Sequence, residues 1–170
     1  MNKWQVLSAA AVLGLGAMLS SAASAVEAAV PAEEITAALE AEGGTVFPIG
    51  QPNDANAKYF TGESYVASLA SSNVRVANVT FAPGCINHWH VHHGSCQILV
   101  GVSGRGWYQI LGEAPKEIHP GETVTIPAET KHWHGAAKDA WFQHLAIMQN
   151  GATTTWMEPV DTEAYNHLEK

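Results

Sequence analysis

Beyond Lys58 the chain is cut into short apolar stretches by turn residues, and this punctuation restricts the fold more than any other feature. Val74-Arg75-Val76-Ala77-Asn78-Val79-Thr80-Phe81 is rich in β-branched residues and stops at Pro83-Gly84. Residues 97–102, 106–111, 122–126 and 141–148 read as further strands. They are separated by Ser103-Gly104-Arg105-Gly106, by Pro120-Gly121 and by Gly135-Ala136-Ala137. Gly and Pro at such intervals break helices and leave segments of strand length. Many short strands bury their apolar faces by stacking as a sandwich or closing as a barrel, so an all-β domain is expected. The ends differ. Residues 31–43 predict a short helix, with Pro31 in its first turn, Glu33 and Glu34 at its positive end and Gly43 as its stop. Residues 161–168 predict a last helical piece. The expected division is a leader over residues 1–25, a helix with edge strands over 26–72, a barrel core over 73–160 and a helical tail over 161–170.

The leader reading rests on one cation, Lys3, followed by an apolar stretch over residues 6–19 and by Ala23-Ser24-Ala25, a small-x-small cleavage pattern. The stretch is mostly Ala, Gly and Ser, too weakly apolar for a lasting anchor. Cleavage after Ala25 removes Lys3 and leaves 145 residues carrying a net charge of −9. The expected product is exported, periplasmic or secreted, with no membrane association after cleavage. The full chain has 8 Lys and Arg against 16 Asp and Glu, which excludes a phosphate-backbone binder, since that affinity needs clustered cations. An oxidising compartment permits a disulfide between Cys85 and Cys96. Sequence leaves that pairing open, because a bridge needs Cα atoms within about 7 Å.

Histidine is the compositional anomaly. Of 9 copies, seven lie between His88 and His134. Residues two apart in a strand share a face, and both His90/His92 and His132/His134 have that spacing. Gly94-Ser95 offers a turn after the first pair. A hairpin there would bring Gln97 beside His90 and His92, with a fourth donor from residues 131–135. A lone strand histidine is usually packed or solvated; two His-x-His pairs point to a metal. Neutral imidazole and amide donors suit Mn, Fe, Co, Ni or Zn, and four ligands with two open positions favour Mn or Fe over closed tetrahedral Zn. Trp89 and Trp133 alternate against these histidines and should face away, in core or subunit packing rather than as a ligand platform. His88 shares the histidine parity but lies near the Pro83-Gly84 turn, at the mouth. Asn78-Val79-Thr80 is a formal glycosylation triplet inside an expected core strand.

Pro83-Gly84-Cys85-Ile86-Asn87-His88-Trp89-His90-Val91-His92, then Gln97 and Gly101, resembles the first cupin motif. Pro120-Gly121-Glu122-Thr123-Val124-Thr125-Ile126-Pro127 followed by Lys131-His132-Trp133-His134-Gly135 resembles the second. The resemblance implies a single cupin barrel (a double-stranded β-helix, or jelly roll) with short terminal helices. Within cupins, Lys131-His132-Trp133-His134-Gly135 with His144-Leu145-Ala146-Ile147 is most similar to small bacterial manganese cupins of the (R)-mandelonitrile lyase type and to carboxymuconolactone-decarboxylase-associated cupins. That likeness implies a divalent metal, foremost Mn, on His90, His92, Gln97 and His132. It implies catalytic roles for His144 as general base and for His134 in the pocket, with Ala77, Val79 and Met148 lining the substrate pocket. It also implies a small-molecule substrate and a homo-oligomer, dimer or tetramer. The chain departs from the pattern at three places. The His92-to-Gln97 spacing is one residue longer than in the shorter lyase version. Glu129 stands where the second motif usually has Gly, and Met148 stands at a pocket Gln.

Most metal cupins carry a glutamate where this chain has Gln97. A neutral ligand set leaves the ion's charge uncompensated and raises its Lewis acidity. The expected function is a metal-dependent lyase, with the metal holding a substrate oxygen or leaving anion and a histidine taking the proton. An iron oxygenase and a non-catalytic exported metal- or ligand-binding cupin stand as alternatives, since one fold hosts many functions.

Overall fold

The computed structural model describes residues 30–168; the leader reading lies outside them. Helix α1 (Ala32–Ala41) is followed by β1 (Gln51–Pro52), a 3-10 turn (Asp54–Tyr59), β2 (Ser64–Ser71), β3 (Val74–Phe81), β4 (His90–His93) and β5 (Gln97–Gly104). Then come β6 (Gly106–Ile110), β7 (Lys116–Ile118), β8 (Thr123–Ile126), β9 (His132–Ala136), β10 (Phe142–Gln149), β11 (Thr153–Trp156) and helix α2 (Thr162–Asn166). The strands form two antiparallel sheets, one ordered β1-β2-β3-β10-β5-β8 and the other β11-β4-β9-β6-β7. Their facing sides enclose Phe81, Cys85, Leu99, Ile118, Ile126, Ala136 and Phe142. This is the all-β two-sheet architecture that the turn spacing predicts, in the jelly-roll form that the cupin resemblance implies. Among the described residues no helix is long and apolar enough to cross a membrane.

Period-two alternation explains β3. Arg75, Ala77, Val79 and Phe81 line the interior, while Asn78 and Thr80 point to the outer face and are nevertheless fully buried. The segment after α1 lies over Asn78, whose Oδ1 has no hydrogen-bond partner among the described residues. Asn78 Nδ2 donates to the Pro48 carbonyl at 2.9 Å, and Gln143 Nε2 donates to Thr80 Oγ1 at 2.9 Å. Buried this way, Asn78 is closed to glycosylation in the folded chain. Helix α1 lies over the same face through Ile35 and Leu39, four residues apart and both fully buried. At the far end, Asp161 caps α2 by accepting from the amides of Glu163 and Ala164, and Tyr165 Oη donates to the Ala136 carbonyl at 2.7 Å. Strand β2 lies within the stretch 26–72 where edge strands are expected without stated bounds, and β7 and β11 are absent from the sequence reading. Each is rich in polar or small residues, and pairing rather than composition makes it a strand.

The structure corrects the connection at Gly94-Ser95. Instead of closing a hairpin, the turn carries the chain from one sheet to the other: β4 pairs with β11 and β9, and β5 pairs with β10 and β8. Both edges of each strand are taken, so neither has an edge left for the other. Gln97 therefore reaches the histidines across the barrel. Cys85 and Cys96 are free thiols, the first buried in the core and the second exposed. Burial pushes the Cys85 thiol up to about 12, so it is an inert core group.

Glu129 takes a φ of 62°, the one non-glycine residue with positive φ among the described residues. It keeps the backbone shape that a glycine adopts freely. Its amide donates to the His92 carbonyl at 2.9 Å, which ties the loop before β9 to β4. Its carboxylate lies 2.6 Å from His93 Nδ1 on the surface, a pair worth at most about 1 kcal/mol. A left-handed residue with a Cβ costs roughly 1–2 kcal/mol. Glu129→Gly should therefore leave stability level or raise it slightly, whereas β-branched Glu129→Val should lower it by about 1–2 kcal/mol. The urea midpoints of the two variants check this ordering.

Candidate metal centre and cavity

Strand parity turns His90 and His92 of β4 and His132 and His134 of β9 toward the same interior region. The register pairs His90 directly with His132. All four are buried, as is Gln97 at the start of β5. The ring centroids of His90 and His132 are 4.1 Å apart, those of His90 and His92 4.9 Å, and those of His92 and His132 5.3 Å. Gln97 Oε1 lies 3.0 Å from His132 Nε2. One nitrogen from each of His90, His132 and His134 falls within a common 4.8 Å. Five neutral donor side chains thus converge. His90 and His132 belong both to the set implied by the sequence and to the set that geometry groups with His134.

Outer hydrogen bonds orient these rings. His90 Nδ1 donates to the His88 carbonyl at 2.9 Å, and His132 Nδ1 donates to the Thr130 carbonyl at 2.8 Å. His92 Nδ1 sits 2.9 Å from Thr154 Oγ1. With Nδ1 committed outward, the Nε2 lone pairs of His90 and His132 point inward, the usual arrangement behind a metal-ligating histidine. One feature then calls for a cation: among the described residues His92 Nε2 is buried without a hydrogen-bond partner. An unsatisfied buried polar atom costs about 1–3 kcal/mol. Protonation is not the remedy, because burial holds the imidazoles neutral. Burial pushes His132 down to about 4; burial and then the His132 charge push His92 down to about 4. His90 and His134 are also held well below the ordinary histidine value, chiefly by burial. The residues present fit a divalent metal ion.

A cavity of about 320 Å³ opens over this cluster, with His90, His92, Gln97 and His134 in its wall. Ala77, Val79 and Met148 line it. His144 does not. It is fully buried beneath His134, whose ring meets it edge-on at 4.8 Å, and it lies against Phe81 and Phe142. Among the described residues neither of its ring nitrogens has a hydrogen-bond partner, and burial pushes its pKa down to about 4. His134 is the histidine of this pair that faces the cavity. Asn87 Oδ1 accepts from the His134 amide at 3.0 Å, which turns Asn87 Nδ2 to within 3.3 Å of the His134 ring. His88 lies outside the cavity wall and acts through its carbonyl. Trp133 faces away, donating to Gln109 at 2.8 Å and packing on Tyr165. The sequence reading missed Trp156, stacked on Tyr59 at 4.8 Å and set over His90, together with Thr154, Asn87 and Arg75. The β-branched run Thr153-Thr154-Thr155 was the available signal for the first two, and parity with Ala77 and Val79 was the signal for Arg75.

Comparison with known proteins identifies the family of this fold. Residues 77–148 match the cupin domain model of the Cupin_2 family. Over 115 residues the chain is 41% identical to an (R)-mandelonitrile lyase of Granulicella tundricola, spanning 64% of this chain and 87% of that protein. The chain belongs to the cupin superfamily. Among solved structures, this cupin is similar to a cupin-like protein from Thermotoga maritima, with 32% identity and a TM-score of 0.68, covering 74% of this chain and 98% of that one. A conserved protein with a double-stranded β-helix domain from Klebsiella pneumoniae shares the fold, with 17% identity and a TM-score of 0.52, over 58% of this cupin and 87% of that chain.

Proposed function

We propose that this cupin is a metal-dependent lyase that cleaves a C–C bond in a small hydroxynitrile-like molecule, or carries out related decarboxylase or lactone chemistry. The observation that carries the reading is the convergence of five neutral donors on the wall of a ligand-sized cavity, two of them held by carbonyl-anchored Nδ1 atoms. The likeness to an (R)-mandelonitrile lyase supports it. A divalent ion, which we take to be manganese, would supply in this uncharged set a positive charge that stabilises a developing alkoxide or departing cyanide.

The chain's own groups handle the proton. With the ion on His90, His92, Gln97 and His132, His134 would keep its lone pair; it lines the cavity and is neutral, the form that accepts a proton, and Asn87 holds its ring edge in place. In the proposed step the substrate hydroxyl gives its proton to a His134 nitrogen, a C=O forms, and the C–CN electron pair leaves with cyanide. The proton then passes to cyanide. His144, buried beneath His134, supports that ring and excludes water behind it. Phe60, Phe81 and Trp156 set apolar surface beside the histidines, which strengthens the electrostatic contacts there.

Cyanide release from mandelonitrile tests the reading. Manganese-loaded protein should release it, metal-stripped protein should not, and His134→Ala should lose roughly 10²–10⁴-fold in rate. His144→Ala should lose less. A larger loss at His144 would move the proton acceptor there, and no release from loaded protein would sink the hydroxynitrile chemistry.

A further inference from the structure

We propose that Arg75 selects the substrate, docking an anionic group at the cavity mouth, so that the natural substrate is a small carboxylate whose carbonyl or hydroxyl oxygen points to the histidine cluster. This inference rests on the reading of the cavity as the active site and names its substrate class.

Among the described residues the cavity wall holds one cation and no carboxylate. In a chain with twice as many acidic as basic residues, that is a local reversal of charge. Arg75 follows the inward parity of β3 with Ala77 and Val79, and it stands at the exposed end of that row. Its register partner on β10 is Met148. The side-chain partner of its guanidinium is the Met148 thioether, with Nη2 to Sδ at 3.9 Å, and no acidic residue among the described residues pairs with it. A thioether is a weak acceptor, so a planar fork of donors is left without a matching anion. Asn53 and Asn56 stand in the same wall and add amide donors. Polar groups therefore occupy both ends of the cavity, with apolar Ala77, Val79, Phe60 and Ala146 between them. At about 3.3 Å per residue, the run from Arg75 to Val79 spans roughly 13 Å of strand, which suits a compact two-ended molecule.

The probe is 4-formylbenzoate, an aldehyde with a carboxylate across one ring, compared with its methyl ester. Both are titrated calorimetrically into the metal-loaded wild-type, Arg75→Met and Arg75→Lys proteins. Wild type should bind the acid at least about tenfold more tightly than the ester, as a charge-assisted pair predicts. Arg75→Met should abolish that preference by weakening the acid alone, and Arg75→Lys should restore part of it. Equal affinity of acid and ester in wild type, no binding of the acid, or a preference that survives Arg75→Met would each overturn the proposal. The cyanide assay is read separately. Acid preference without cyanide release keeps Arg75 and removes the hydroxynitrile reaction; cyanide release without acid preference removes Arg75 alone.

Discussion

Replacing His132 with alanine is expected to cost the protein its metal, lowering divalent-ion affinity by at least the roughly 10–100-fold that follows loss of an outer-shell partner alone. His132 is the residue to test because it belongs to both candidate ligand sets and faces Gln97 at 3.0 Å. The loss should appear in stability as well as in binding. A ligand at about 1,000 times its Kd stabilises the folded state by about 4.1 kcal/mol. A hundredfold weaker site gives up about 2.7 kcal/mol of that. Manganese titration with metal analysis of the dialysed protein, and Tm with and without the ion, give the two readouts. His92→Ala and His134→Ala complete the series. A large loss at His92 and a small one at His134 favour the set with Gln97, and the reverse favours the set of three histidines. Unchanged affinity in His132→Ala would remove the metal centre from this cluster.

Metal-stripped protein should also be unusually sensitive to mild acid. His132 and His144 are buried and neutral, each pushed from 6.5 to about 4, with burial the leading cause. The unfolded chain binds these protons as pH drops below about 6.5, and the folded chain does so only near 4. Stability is therefore complete above pH 6.5 and is lost through the window from about 6.5 to about 4. Each group contributes on the order of 3 kcal/mol across it. His92 adds to the same trend, and so, in direction, do His90 and His134. Two such groups already rival the 5–15 kcal/mol that holds an ordinary domain folded. Urea midpoints at pH 7.5 and pH 5 should differ strongly in stripped protein. His144→Leu, an apolar side chain of similar size within reach of Phe81 and Phe142, should reduce the slope by one proton. A flat profile in stripped protein would mean that these imidazoles are not sealed from water.

Much of the barrel was legible along the chain because Gly and Pro act locally. Pro83-Gly84 ends β3, Pro120-Gly121 precedes β8, and Pro31 and Gly43 bracket α1 without help from distant residues. The histidine pairs were legible for a related reason: period two makes His90 and His92, or His132 and His134, share a face whatever the strands pair with. β11 and β2 were less visible, since Thr153-Thr154-Thr155 and the small residues of Ser64–Ser71 become strands by pairing with β4 and β3.

Sequence alone therefore determined the strand class, the turn positions and the residues that could offer nitrogen or oxygen to a metal, because these follow from neighbours a few positions apart. Only the tertiary structure decided who meets whom. It moved Gln97 from a hairpin to the opposite sheet, because β4 and β5 have their edges filled by other strands. It set His134 between the cavity and His144, and left Arg75 facing a thioether instead of a carboxylate. Such contacts join residues dozens of positions apart, and only the closure of two sheets around one interior brings them into reach.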